Sequence, residues 1–238
     1  MKRLYYFIVA AVCFLTCATA SAQFVNSSAS GTTRKTAATP NAVSSFSTFD
    51  FTYSPFTLKS EYDGDDETED MNAVSLNWAK AQSVSTAYPV YLQYGVGLQY
   101  AWQTDSEKED SYSYKSTTSF LTAKIPVNLM YCLNVPNTQL SVLPYAGLNL
   151  QGHILGQTKV TVSYDGDSES ESMSFFDKDD MDDETFNRFV VGWQIGAKLA
   201  FNDFVLGIGY EGPVSNLYKE DDFKINYSLI NISIGVKF

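Results

Sequence analysis

Apolar and polar residues alternate with a period of two in segment after segment of this chain. The last segment shows it best. Ile230, Ile232, Ile234, Val236 and Phe238 fall on one parity, and Asn231, Ser233, Gly235 and Lys237 on the other. Successive side chains of a strand point to opposite faces, so such a pattern predicts a strand with one apolar and one polar face. Residues 90–103 repeat it, with Val90, Leu92, Tyr94, Val96, Leu98, Tyr100 and Trp102 opposing Gln93, Gly95, Gly97, Gln99 and Gln103. The same alternation predicts strands over 121–133, 140–154, 188–201 and 204–214. Weaker versions over 47–55 and 72–82 bring the number to eight.

The connections alternate between long and short. The short ones are roughly 83–89, 134–138 and 202–203. The long ones hold nearly all the acid: of 27 acidic residues, all but Asp50, Asp203 and Glu211 lie within 61–70, 105–110, 165–184 and 220–222. The apolar faces carry almost no charge, Lys80 being the exception. A soluble sandwich would turn its polar face to water, whereas a membrane barrel turns its apolar face to lipid. The expected fold is therefore all-β, an eight-stranded antiparallel up-and-down barrel. Its long acidic loops lie outside the cell, its tight turns in the periplasm, and both chain ends on the periplasmic side. Pro126, Pro144 and Pro213 interrupt strand patterns and are expected at bulges or strand ends.

The amino terminus supports export. Lys2 and Arg3 precede the apolar run 4–17, and Ala20-Ser21-Ala22 before Gln23 fits a cleavage site. Residues 1–22 thus read as a signal peptide and 23–46 as a flexible periplasmic leader rich in Ser, Thr and Ala. The barrel occupies 47–238. Phe14-Leu15-Thr16, not small residues, stand just before Cys17, which argues against lipidation. Cleavage removes Cys13 and Cys17, leaving Cys132 alone and no intrachain disulfide. Sixteen Tyr and 16 Phe suit strands and membrane-interface girdles. A net charge of −11 with no basic stripe excludes a nucleic-acid partner.

Candidate chemistry is sparse. The polar faces place Asp50, Lys124, Arg188, Lys198 and Glu211 in the lumen. An eight-stranded barrel has an interior that side chains can fill, so these are expected to form a paired polar network. A narrow conducting path is the alternative. A near-repeat, Tyr62-Asp-Gly-Asp-Asp-Glu-Thr-Glu69 and Tyr164-Asp-Gly-Asp-Ser-Glu-Ser-Glu171, places Asp63, Asp65, Asp165 and Asp167 as candidate ligands of a hard divalent cation. Its spacing departs from the EF-hand pattern. The plainer expectation is a solvated acidic surface that favours basic extracellular partners. The single histidine, His153, excludes multi-histidine metal sites. An outer-membrane enzyme would have to join it to Asp105-Ser106 or Asp110-Ser111 in a neighbouring loop. No cofactor is expected.

The segment Leu121-Thr-Ala-Lys-Ile-Pro-Val-Asn-Leu-Met-Tyr131, followed by Leu143-Pro-Tyr-Ala-Gly147 and preceded by the Ser21-Ala22-Gln23 junction, resembles the Bacteroidetes-type outer-membrane β-barrel family. That family is PorT-like and is often labelled a porin family. The resemblance covers most of the mature chain in layout. It implies an eight-stranded barrel of the OmpA/OmpX shape. It also implies that Phe238 helps barrel closure and recognition by the assembly machinery, and that outer-membrane lipid surrounds the protein. It implies no shared activity. The function expected is non-enzymatic: envelope structure or surface recognition.

Overall fold

The computed structural model describes residues 45–62, 65–85, 88–109, 112–164, 167–177, 186–219 and 223–238. Eight long strands form the ring: β1 (Ser45–Tyr62), β2 (Asp65–Ser83), β3 (Val90–Glu109), β4 (Tyr112–Tyr131), β6 (Leu140–Tyr164), β8 (Phe189–Phe201), β9 (Phe204–Pro213) and β11 (Phe223–Lys237). Three short strands accompany them: β5 (Leu133–Asn134), β7 (Asp167–Ser174) and β10 (Tyr218–Lys219). Every pairing is antiparallel. The ring runs β1-β2-β3-β4-β6-β8-β9-β11 and closes where β11 pairs with β1, from Thr48↔Lys237 to Tyr62↔Phe223. Phe238 completes the seam: its carbonyl accepts from the Ser47 amide at 2.8 Å, and its own amide donates back at 3.0 Å.

The parity read from the sequence matches the two faces of the ring. Leu76, Leu98, Leu148, Ile195, Leu206, Ile208, Ile232 and Ile234 are all exposed on the outside. Tyr53, Tyr100, Trp193 and Tyr210 bound this aliphatic belt on one side, and Tyr131, Phe201, Phe204 and Phe238 bound it on the other. The Trp193 and Tyr210 rings pack 5.3 Å apart. Such aromatic girdles flank the apolar band of barrels in lipid.

The short turns fall where expected. Asn202 lies in the two-residue turn between Phe201 and Phe204 with φ at 53°, a left-handed conformation that Asn tolerates. Inside, the Tyr145 side chain crosses Gly196. A Cβ there would lie 2.6 Å from its hydroxyl, so only glycine fits.

Three features depart from the sequence pattern. First, where they are described, the acidic stretches are largely strand, not loop. β1 and β2 stay paired up to Tyr62↔Asp65, β3 and β4 up to Glu109↔Tyr112, and β6 pairs with β7 up to Tyr164↔Asp167. At 25 residues β6 is more than twice the roughly 9–11 needed to cross a bilayer. The hairpins therefore project well beyond the apolar belt. Second, the predicted alternation over 140–154 breaks at a bulge. Leu121 pairs with Leu155 but Thr122 with His153, so Ile154 is an extra residue and Leu155 takes the outward place. Third, of the prolines only Pro213 ends a strand. Pro126 lies where the β3–β4 register is interrupted, because it has no amide to donate. Pro144 sits inside β6, opposite Ala197.

Candidate functional site

The inward faces stack into three layers. The middle layer is polar. Asp50 on β1 accepts from Lys198 on β8 at 2.5 Å, and Glu211 on β9 accepts from Lys124 on β4 at 2.8 Å. Neither pair joins neighbouring strands, so both ion pairs bridge the lumen. The second oxygen of Glu211 accepts from the amide of Gln151 and from the Tyr227 hydroxyl. Asn128 donates to Gln93 at 3.0 Å and accepts from Gln194 at 2.8 Å, which adds β3 to the layer and ties it to β4 and β8. Glu211 is 1% exposed. A charge so removed from water persists only with a partner and further hydrogen bonds, both of which it has.

A cavity of about 80 Å³ lies in this layer, lined by Asp50, Lys124, Asn149, Gln194, Lys198 and Glu211 among others. Asp50 Oδ1 and Asn149 Oδ1 are buried without a protein partner. The cavity has room for a few waters to serve them.

Apolar layers close both ends. On the hairpin side Phe56, Met71, Phe120, Phe175, Val190, Leu217 and Leu229 form one cluster, with Phe186 packed against it. On the turn side Ala81, Tyr91, Met130, Leu143, Ala200 and Val205 form another. The upper plug draws on a connection as well as on strands. Phe175 follows β7 and stacks on Phe120 at 5.3 Å, and its amide donates to the Gly156 carbonyl at 3.0 Å. The sequence reading assigned 165–184 wholly to an acidic crown. The signal it passed over was the pair Phe175-Phe176 inside a charged run.

Four of the five lumen residues named from the sequence meet in the middle layer. Arg188 does not. It precedes β8 and is exposed, donates to the Phe176 carbonyl at 3.3 Å and lies 4.7 Å from the centre of that ring. The predicted strand started one residue too early there, and the guanidinium reaches the rim instead of the lumen.

His153 is buried. Its Nδ1 lies 2.8 Å from the Thr122 hydroxyl, and its ring stacks on Phe176. The Asp/Ser/His grouping is not formed with Asp105-Ser106. Thr122 is opposite Gln99, and Asp105 stands six residues further along β3, about 20 Å away at ~3.3 Å per residue. Asp105 accepts instead from Gln103 at 2.9 Å. Asp110 and Ser111 lie outside the described residues.

Of the candidate cation ligands, Asp63 and Asp165 also lie outside the described residues. Asp65 begins β2 and Asp167 begins β7, strands separated in the ring by β3, β4 and β6. Among the described residues no group of three or more His, Cys, Asp or Glu is placed to hold a metal ion. On the β1–β2 hairpin the acid is partly neutralised. Lys59 donates to Asp66 at 2.6 Å, a bond that holds its ammonium above the ordinary lysine pKa. Lys224 lies 3.9 Å from Glu61.

A closed ring with a lipid-compatible belt and an inward polar layer is the architecture of an outer-membrane barrel. The family model for the outer membrane protein beta-barrel domain matches residues 9–238. The chain belongs to this family. Its place is accordingly the outer membrane of a Gram-negative envelope, crossed by strands. The match is to the domain family as a whole and does not extend to a PorT-like subtype. No curated protein matches the sequence. Among solved structures the chain is similar to Ail, the attachment invasion locus protein of Yersinia pestis. The two are 17% identical over 81% of this chain and 98% of that one, with a TM-score of 0.33. It is also similar to Neisserial surface protein A (13%, 80% and 97%, TM-score 0.33) and to the outer membrane enzyme PagL (11%, 75% and 97%, TM-score 0.30). Likeness at this level assigns no activity.

Proposed function

We propose that this protein is a closed, non-enzymatic outer-membrane barrel whose work is done by its projecting acidic hairpins, on the extracellular side, in surface recognition or envelope structure. One observation carries this: a polar cavity of about 80 Å³ lies between two apolar plugs. A conducting path would need continuous water, and the layer of Met71, Phe120 and Leu229 interrupts it. Catalysis would need an accessible reacting group, and His153 is buried beneath Phe120 and Phe176. Within the same proposal residues 1–22 are cleaved before Gln23, and 23–46 remain as a periplasmic leader. The carboxylates of the hairpins attract basic extracellular partners.

Planar-bilayer recording tests the sealed lumen. The purified barrel is expected to give no stable unitary conductance. Reproducible channels from the folded wild-type protein would replace this reading with that of a narrow pore. The seam at Phe238 gives a second test. Removing Phe238 deletes two backbone hydrogen bonds to Ser47 and an apolar end exposed to lipid. If the assembly machinery reads that end, the variant should reach the outer membrane at several-fold lower yield in cells yet refold normally in detergent. Equal yields in cells would remove Phe238 from that role.

A further inference from the structure

The outer parts of β3, β4, β6 and β7 form one four-stranded sheet that projects beyond the belt. Their register fixes which side chains share a face. Glu107, Tyr114, Val162 and Glu169 stand side by side across the four strands. The next row is Asp105, Ser116, Val160 and Glu171. Beyond the first row come Tyr112, Tyr164 and Asp167. One face thus has a floor of Tyr and Val, with a column of carboxylates on β3 and another on β7. This face continues the parity of Phe120 and Gly156, so it is the extension of the lumen side above the plug. A concavity of about 480 Å³ borders Val160, Val162, Glu169, Ser170 and Glu171.

The opposite face is different in kind. Its rows are Ser106, Lys115, Thr161 and Ser170, then Thr104, Thr117, Lys159 and Ser172. Its hydroxyls pair across strands, Thr161 with Ser170 at 2.9 Å and Thr104 with Thr117 at 3.3 Å. All its charges are lysines. Carboxylates and ammoniums have been sorted onto opposite faces of one sheet. Cross-strand pairs of opposite charge would have stabilised it instead. The β1–β2 hairpin and its neighbour β11 do make such pairs, Lys59 with Asp66 and Lys224 with Glu61. Among the described residues no ion pair is made by Glu107, Glu169 or Glu171. Tyr164 is 62% exposed and Tyr112 39%.

Building on the extracellular hairpins proposed above, we infer that this face is a docking surface for a cationic amphipathic helix of a partner protein or peptide. The dimensions agree. Three inter-strand steps of ~4.8 Å separate the two acidic columns by about 14 Å. A helix with side chains is about 10–12 Å across. Its apolar stripe would lie on Tyr114, Val160 and Val162, and Lys or Arg on its two flanks would meet Glu107 on one side and Glu169 and Glu171 on the other.

The test uses the full barrel in zwitterionic nanodiscs, with empty nanodiscs as background. The probe is a fluorescent 18-residue peptide of Leu and Lys, with Leu on one helical face. Its controls are a scrambled sequence of equal charge and a Lys/Val sequence of period two. Wild-type protein should bind the helical peptide at least tenfold more tightly than either control. The triple variant Glu107→Gln, Glu169→Gln, Glu171→Gln should lose tenfold or more, and Tyr114→Ser with Val162→Ser should lose as much. Lys115→Gln with Lys159→Gln on the opposite face, and Asp66→Asn on the other hairpin, should change affinity less than twofold. Each variant is first shown to be folded by its heat-modifiable migration. Equal losses from Asp66→Asn would mean general attraction to acid and overturn the inference. So would unchanged binding in the triple variant, or a preference for the period-two peptide. Protease accessibility on intact cells tests the extracellular placement separately, and conductance tests the sealed lumen, so neither failure is confused with failure of this site.

Discussion

Glu211→Leu is expected to destabilise the folded barrel by about 3–5 kcal/mol, the usual consequence of removing one member of a buried ion pair. Lys124 would keep its charge in a site 6% exposed and lose the carboxylate it is paired with. Gln151 and Tyr227 would each lose an acceptor as well. Because the damage comes from the stranded ammonium, removing it should help. The double variant Lys124→Met, Glu211→Leu should be more stable than Glu211→Leu alone, since apolar side chains of similar volume often replace a buried pair at little loss. Urea unfolding in detergent, followed by tryptophan fluorescence, gives both values. If single and double variants unfold at the same urea concentration, the pair across the lumen does not hold the barrel.

The ring was legible in the sequence because lipid and lumen impose opposite demands on alternate residues. Ile230 to Phe238 obey that alternation without exception, and Val90 to Trp102 break it only at Tyr91 and Ala101, which belong to the inward apolar layers; register follows, since a slip of one residue would turn each face over. The hairpin extensions were not legible. In Asp65–Asp70 and Thr104–Glu109 both faces are polar, so no period of two survives, although the ladder simply continues there. The bulge at Ile154 was hidden for another reason. Ile154 and Leu155 are both apolar, and either fits the outward place. The upper plug needs contacts that no local pattern encodes: Phe120 from β4, Met71 from β2, and Phe175 from a connection between strands. For the lumen network, the sequence placed Asp50, Lys124, Lys198 and Glu211 on the inward parity. Which acid meets which base depends on the height of each strand around the ring, and that was not legible.

The outer belt should discriminate charge by depth, and β9 and β11 offer the comparison on one face. Ile234 pairs in register with Phe51 and Leu206, between the two aromatic girdles, and is 57% exposed. Phe204 is 66% exposed but belongs to the girdle at the turn end, beside Asp203. An arginine at the middle of a lipid face costs roughly 2–4 kcal/mol, and near the interface about 0–1 kcal/mol. Ile234→Arg should therefore unfold at a clearly lower denaturant concentration than wild type when folded into phospholipid vesicles. Phe204→Arg should lie close to wild type, because its guanidinium can reach the headgroups. In a detergent micelle, which deforms around a charge more readily than a bilayer, the gap between the two should narrow. Equal stabilities in vesicles would move the bilayer away from the belt between Tyr210 and Phe204. A more damaging Phe204→Arg would place the membrane centre at the turns, and the hairpins would then not project as far as their strands imply.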